Sequence, residues 1–158
     1  MMMLMRAAIV ASLMSIASCA MQSEQANVHS ERVDFYQVDT AKPYDEVLAE
    51  LEIAIAEHNF RITGHSRVGK VIRERGAEGF PEYDTVQFCN LTLARTILEI
   101  TPHAIAYMPC NVVTYQFGGK TIIRTHLLPE HGDNPELNRF ATDMNRQLKQ
   151  IVDFAAEQ

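Results

Sequence analysis

Cys89 and Cys110 are the residues of this 158-residue sequence best suited to chemistry, because thiols can couple, ligate soft metals or attack electrophiles. They bound a stretch of 22 residues, and a disulfide closing it would stabilise the fold by about 3 kcal/mol through chain entropy. Reduced and ionised, the same pair could hold haem or a metal ion, or carry sulfur or redox equivalents. Cys89 immediately precedes Asn90, a candidate N-cap, and a helix N-terminus there favours the thiolate. Buried and protonated, both would pack as small apolar residues. The spacing leaves all three uses open.

His103 and Met108 extend the pair into a candidate soft-ligand set for copper or haem iron, with Asn90 as a further neighbour. The Cys-x-x-Cys-His attachment motif is absent from the sequence, so any haem would be held non-covalently. His126 and His131, with Glu130 and Asp133 beside them, contain the donor types of a zinc site, although Pro-Glu-His-Gly-Asp also reads as a polar turn. Glu50, Glu52 and Glu57, and Arg73, Glu74 and Arg75, read as solvated helix faces with weak ion pairs. The sequence has no Gly-x-Ser-x-Gly elbow, His-Glu-x-x-His pair or phosphate-cradling glycine loop, and the expectation is a binding module rather than an enzyme.

These residues need elements to position them. Val33 to Val38 is rich in β-branched and aromatic residues, as a first strand requires. Pro43 opens a helix with Tyr44, Val47, Leu48, Leu51 and Ile55 on one face to about His58, and Asn59 suits the left-handed turn after it. Phe60 to Thr63 alternates as a second strand. Ser66 is the expected cap of a short helix carrying Val68, Val71 and Ile72 on one side and ending at Gly76. A strand over Thr85 to Cys89 leads to Asn90 and a helix lined by Ala94, Ile97, Leu98 and Thr101, with a loop from Pro102 holding His103. Cys110 to Phe117 and Thr121 to Leu128 form a hairpin about Gly118-Gly119-Lys120. Asn134 and Pro135 start a last helix with Leu137, Phe140, Met144, Leu148, Ile151 and Ala155 in a stripe. The order β-α-β-α-β-α-β-β-α predicts a two-layer α+β sandwich, mainly antiparallel, with helices on one face. Thr121 to His126 is the expected exposed edge and candidate homodimer surface.

Before this body, Arg6 and the apolar run Ala7 to Ile16 have the form of a signal peptide, too short to span a bilayer. Ile16-Ala17-Ser18-Cys19 resembles a bacterial lipobox, which assigns residues 1–18 to the signal and makes Cys19 the lipidated N-terminus; the alternative is ordinary secretory cleavage after Ala20, with Ser18 and Ala20 as the small residues, and either way the chain is exported. Ala20 after the cysteine implies sorting to the outer membrane, facing the periplasm. Residues 19–32 form a tether with a reach of roughly 20 Å, and residues 33–158 form one domain. Loss of the first 18 residues removes one base, Arg6, from the 14 and none of the 20 acids, so the charge becomes 13 − 20 = −7. That charge argues against nucleic acid as a partner.

Phe80-Pro81-x-Tyr83, Gln87-Phe88-Cys89-Asn90-Leu91 and Met108-Pro109-Cys110-x-Val112-Val113, followed by the glycine hairpin, resemble the cysteine-bearing branch of the domain-of-unknown-function-302 family. The resemblance implies a two-layer α+β fold of the TATA-box-binding-protein-like class, often dimeric, with no agreed enzymatic activity. It leaves the small ligand or partner open.

Overall fold

The computed structural model describes residues 34–157. The expected signal peptide, the lipidation at Cys19 and the whole tether lie outside them. Five strands, β1 (Phe35–Thr40), β2 (Arg61–Arg67), β3 (Tyr83–Cys89), β4 (Cys110–Phe117) and β5 (Lys120–His126), form one sheet in the order β1-β5-β4-β3-β2. Every neighbouring pair is antiparallel. Four helices, α1 (Tyr44–Glu57), α2 (Val68–Glu74), α3 (Leu91–Ile100) and α4 (Pro135–Ala156), complete the two-layer α+β architecture.

The apolar stripes of α1 and α4 meet the inner face of the sheet, and Leu51, Ile55, Phe88, Ile123, Leu148 and Ile151 are fully buried between the layers. Each such side chain contributes about 1.5–3 kcal/mol by leaving water. Asn145 interrupts the α4 stripe for a polar reason. Its Oδ1 accepts from the Leu128 N–H at 2.8 Å and its Nδ2 donates to the Leu128 carbonyl at 2.9 Å, so it pins the chain leaving β5 to α4.

Local signals place most boundaries. Asn90 and Asn134 each accept two backbone N–H groups at the starts of α3 and α4, where those donors have no helical partner. Gly118 and Gly119 both have positive φ, 59° and 75°, which lets two residues reverse the chain between β4 and β5. Asn59 takes φ 59° after α1, as its position suggested.

Four expectations change. Ser66 lies inside β2, which runs to Arg67, and α2 begins without a side-chain cap. Val68 and Val71 of α2 are largely exposed; the buried contact is Gly69, where a Cβ would stand 2.4 Å from the Pro81 carbonyl oxygen. Residues Pro102–Tyr107 form a 3-10 helix rather than an open loop. Finally, β5 is not an edge: β1 pairs with it from Phe35↔His126 to Thr40↔Thr121, so among the described residues the edges are β1 and β2. A pairing between segments so far apart in sequence leaves no local trace.

Candidate functional site

The end of β3 and the start of β4 bring the two thiols to one place. Phe88 stands opposite Cys110 in the β3-β4 register, which offsets Cys89 from Cys110 by one residue. Both line a small cavity walled by Phe60, Leu93, Ile97, Tyr107 and Met108 as well. The cavity volume is about 30 Å³, room for about one or two water molecules. Haem needs a pocket of several hundred Å³, so haem does not fit this cavity.

Both cysteines are free thiols. The disulfide weighed from the sequence is not present between them, although both line the same cavity. Burial pushes the Cys110 thiol up to about 12, and the nearby Cys89 adds to the rise. Cys110 is therefore protonated at neutral pH, a poor nucleophile and a poor ligand. Beside Cys89, the Asn90 side chain already accepts from the Thr92 and Leu93 N–H groups at 3.0 and 3.1 Å. Those donors are thus committed to the cap.

The other sequence candidates disperse. Met108 and Asn90 do line the thiol cavity, whereas His103 is exposed on the 3-10 helix. His126 is half-buried at the end of β5. Burial lowers its pKa from the ordinary value of 6.5, opposed by a hydrogen bond to the Tyr107 backbone. His131 is exposed, and Glu130 is held by Asn145 and Thr142, which lower its pKa. Among the described residues no group of three or more His, Cys, Asp or Glu side chains could hold a metal ion.

A polar cavity that sequence reading missed lies between α1, β3 and the β2-α2 junction. Its volume is about 320 Å³, and its walls include Tyr44, Glu52, Arg67, Lys70 and Asp84. Asp84 is only 5% exposed. The Tyr44 hydroxyl lies 3.1 Å from its Oδ2, within reach of a hydrogen bond, and Thr114 Oγ1 lies 2.9 Å from the same hydroxyl. Burial, with the Asp84 charge beside it, raises the Tyr44 pKa, so Tyr44 stays a neutral donor. Asp84 Oδ1 and His65 Nε2 are both buried without a hydrogen-bond partner. They face each other at 3.6 Å, near enough for attraction and too far for a hydrogen bond. His65 Nδ1 lies 4.0 Å from Glu52 Oε1, so the imidazole sits between two carboxylates.

The helix faces expected to be solvated with weak ion pairs do carry ion pairs. Glu50 pairs with the buried Lys42, and Arg73 bridges the Phe80 carbonyl and Glu82. None of these residues belongs to a motif. Asp84, His65 and Tyr44 come from β3, β2 and α1; the β2-β3 pairing, with Arg67 opposite Asp84, brings His65 beside Asp84, and the packing of α1 on the sheet brings Tyr44 to both Asp84 and Thr114.

Comparison with known proteins bears on the fold. A family model described as "Domain of unknown function DUF302" matches residues 36–155. The solved structure of an uncharacterised conserved DUF302 protein from Bacillus stearothermophilus is similar, with a TM-score of 0.66 and 22% identity. The alignment covers 78% of this chain and 98% of that one. No curated protein matches.

Proposed function

Because the chain belongs to the DUF302 family, whose description assigns no activity, we propose a function from its residues and geometry: a non-enzymatic, ligand-binding module tethered to the bacterial envelope. The observation that carries the binding reading is the 320 Å³ cavity with a buried, incompletely partnered carboxylate in its wall. Ligand pockets begin at about 300 Å³, a size this cavity reaches and the thiol cavity does not. An ionised buried carboxylate costs several kcal/mol unless its lone pairs are met, and a ligand donor would offset that cost.

The tether reading rests on Ile16-Ala17-Ser18-Cys19. Acyl chains on Cys19 contribute about 0.8 kcal/mol per buried methylene, so two or three chains hold the protein at the outer membrane on the periplasmic side. Among the described residues no helix is long and apolar enough to cross a membrane. Intact mass of the chain extracted from its own envelope tests this part. An unmodified Cys19 would remove the anchor.

A thermal-shift screen of small polar metabolites tests the binding part, with Ala49→Phe as the control that fills the cavity; Ala49 lines it and is exposed. Rises in Tm that vanish in Ala49→Phe support the reading. Rises that persist place the ligand elsewhere, and no rise at all overturns it.

The thiols support a second reading because Cys89 and Cys110 share one cavity wall with Met108. A soft metal ion or a transferable sulfur would use them, and the metal would have to displace the Cys110 proton. Metal content or reversible persulfidation that disappears in Cys89→Ser is its signature.

A further inference from the structure

We infer that the Asp84 cavity takes a small zwitterion, a molecule with one ammonium and one carboxylate such as a free amino acid. This rests on the binding reading above and names the ligand class. Charges of both signs line the cavity, and Arg67 stands opposite Asp84 in the β2-β3 register. Asp45 and Glu52 on α1 and Asp84 on β3 supply negative charge, whereas Arg67 at the end of β2 and Lys70 and Arg73 on α2 supply positive charge.

Few of these charges cancel across the space. Arg73 pairs with Glu82 and Lys70 with Glu74, the latter pair being largely exposed. Among the described residues Arg67 makes no ion pair or hydrogen bond, and Glu52 meets only His65 at 4.0 Å. A simple cation would meet the acids and leave Arg67 uncompensated; a simple anion would do the reverse. A zwitterion in the cavity meets both signs at once, its ammonium toward Glu52 and Asp84 and its carboxylate toward Arg67 and Lys70.

Asp84 supplies an observation independent of the surface charges. It is buried, its Oδ1 has no hydrogen-bond partner although His65 Nε2 faces it at 3.6 Å, and Tyr44 donates to Oδ2. The acid is thus held in place with one oxygen in need of a donor. The volume, about 320 Å³, suits a single amino acid better than a peptide.

Isotope-labelled full-length chain should be titrated with the twenty protein amino acids, and then with the decarboxylated amine and the deaminated acid of the best binder. The expected result is movement of the Ala49, Glu52 and Lys70 amides, with the zwitterion at least tenfold tighter than either analogue. Arg67→Ala and Glu52→Gln, both at exposed positions, should each weaken it about tenfold and leave the rest of the spectrum unchanged. If an analogue binds these amides as tightly as its parent, or if Arg67→Ala binds as the native chain does, the zwitterion is overturned while the site stands. If none of the compounds moves these amides, the zwitterion is overturned, and the binding reading is decided by the thermal-shift screen of polar metabolites.

Discussion

The cavity beside Cys89 and Cys110 closes on about 30 Å³ between mostly apolar walls, whereas the one beside Asp84 opens about 320 Å³ between charged ones. Both sit on the inner side of the same sheet, yet they spend their burial differently. In the first, burial keeps a thiol neutral and turns it into packing material. In the second, burial isolates a carboxylate whose partners are incomplete. Rarity of residue type and readiness for chemistry are therefore separate properties: the thiols are conspicuous and quiet, the aspartate is common and exposed to an unmet demand.

The comparison breaks most forcefully at Phe88, which is fully buried and meets Phe60 edge to face at 5.3 Å, Phe60 being a wall of the thiol cavity. Phe88→Ala should cost about 3–5 kcal/mol in denaturant unfolding. A loss under 1 kcal/mol would mean that the thiol cavity is loosely packed. Next in size is Tyr44→Phe, which removes the donor to Asp84 and leaves Thr114 without its partner. About 1–3 kcal/mol should be lost, with little change in Cys89 or Cys110 alkylation rates, if the two regions are independent.

A smaller effect, about 1 kcal/mol, is expected from Cys110→Ser, since the hydroxyl is harder to bury than the thiol. In the native chain, Cys110 alkylation should accelerate with pH through the alkaline range toward about 12. A plateau near pH 8 would return Cys110 to the reactive thiols. The smallest effect is the pH dependence set by His126. Its folded pKa lies below 6.5, so the unfolded chain binds the proton first as pH falls. Stability should be fully present above pH 6.5 and decline below it, and His126→Gln should flatten that decline in urea titrations. An unaltered slope would assign the decline to other groups, and Glu130, whose pKa is also lowered, acts in a more acidic window below 4.5.

Local grammar explains what the sequence made legible. Asn90, Asn134, Asn59 and the pair Gly118-Gly119 act on backbone groups within a few residues, so their roles show without knowledge of the fold. The β4 start at Cys110 and the α4 start at Pro135 stand where those signals put them. Ser66 misled because a cap-type residue also tolerates a strand, and the β3 pairing of β2 decided the matter. The Tyr44-Asp84-His65 group was illegible for the same reason in stronger form: it joins three elements and contains only common residue types. The thiols were legible as a pair, but register and burial settled their state.

The position of β1 has a consequence for the order of events in making the protein. The Lys42 carbonyl, just after β1, accepts from the Thr121 hydroxyl 79 positions away, and the Tyr36 hydroxyl within β1 donates to Asp153, 117 positions away. Of the described strands synthesis delivers β1 first, and its one strand partner among the described residues, β5, last. Until β5 emerges, the β1 segment lacks that partner and is open to a neighbouring nascent chain or a holding chaperone. The sheet is thus completed at the end of synthesis by joining the oldest strand to the youngest.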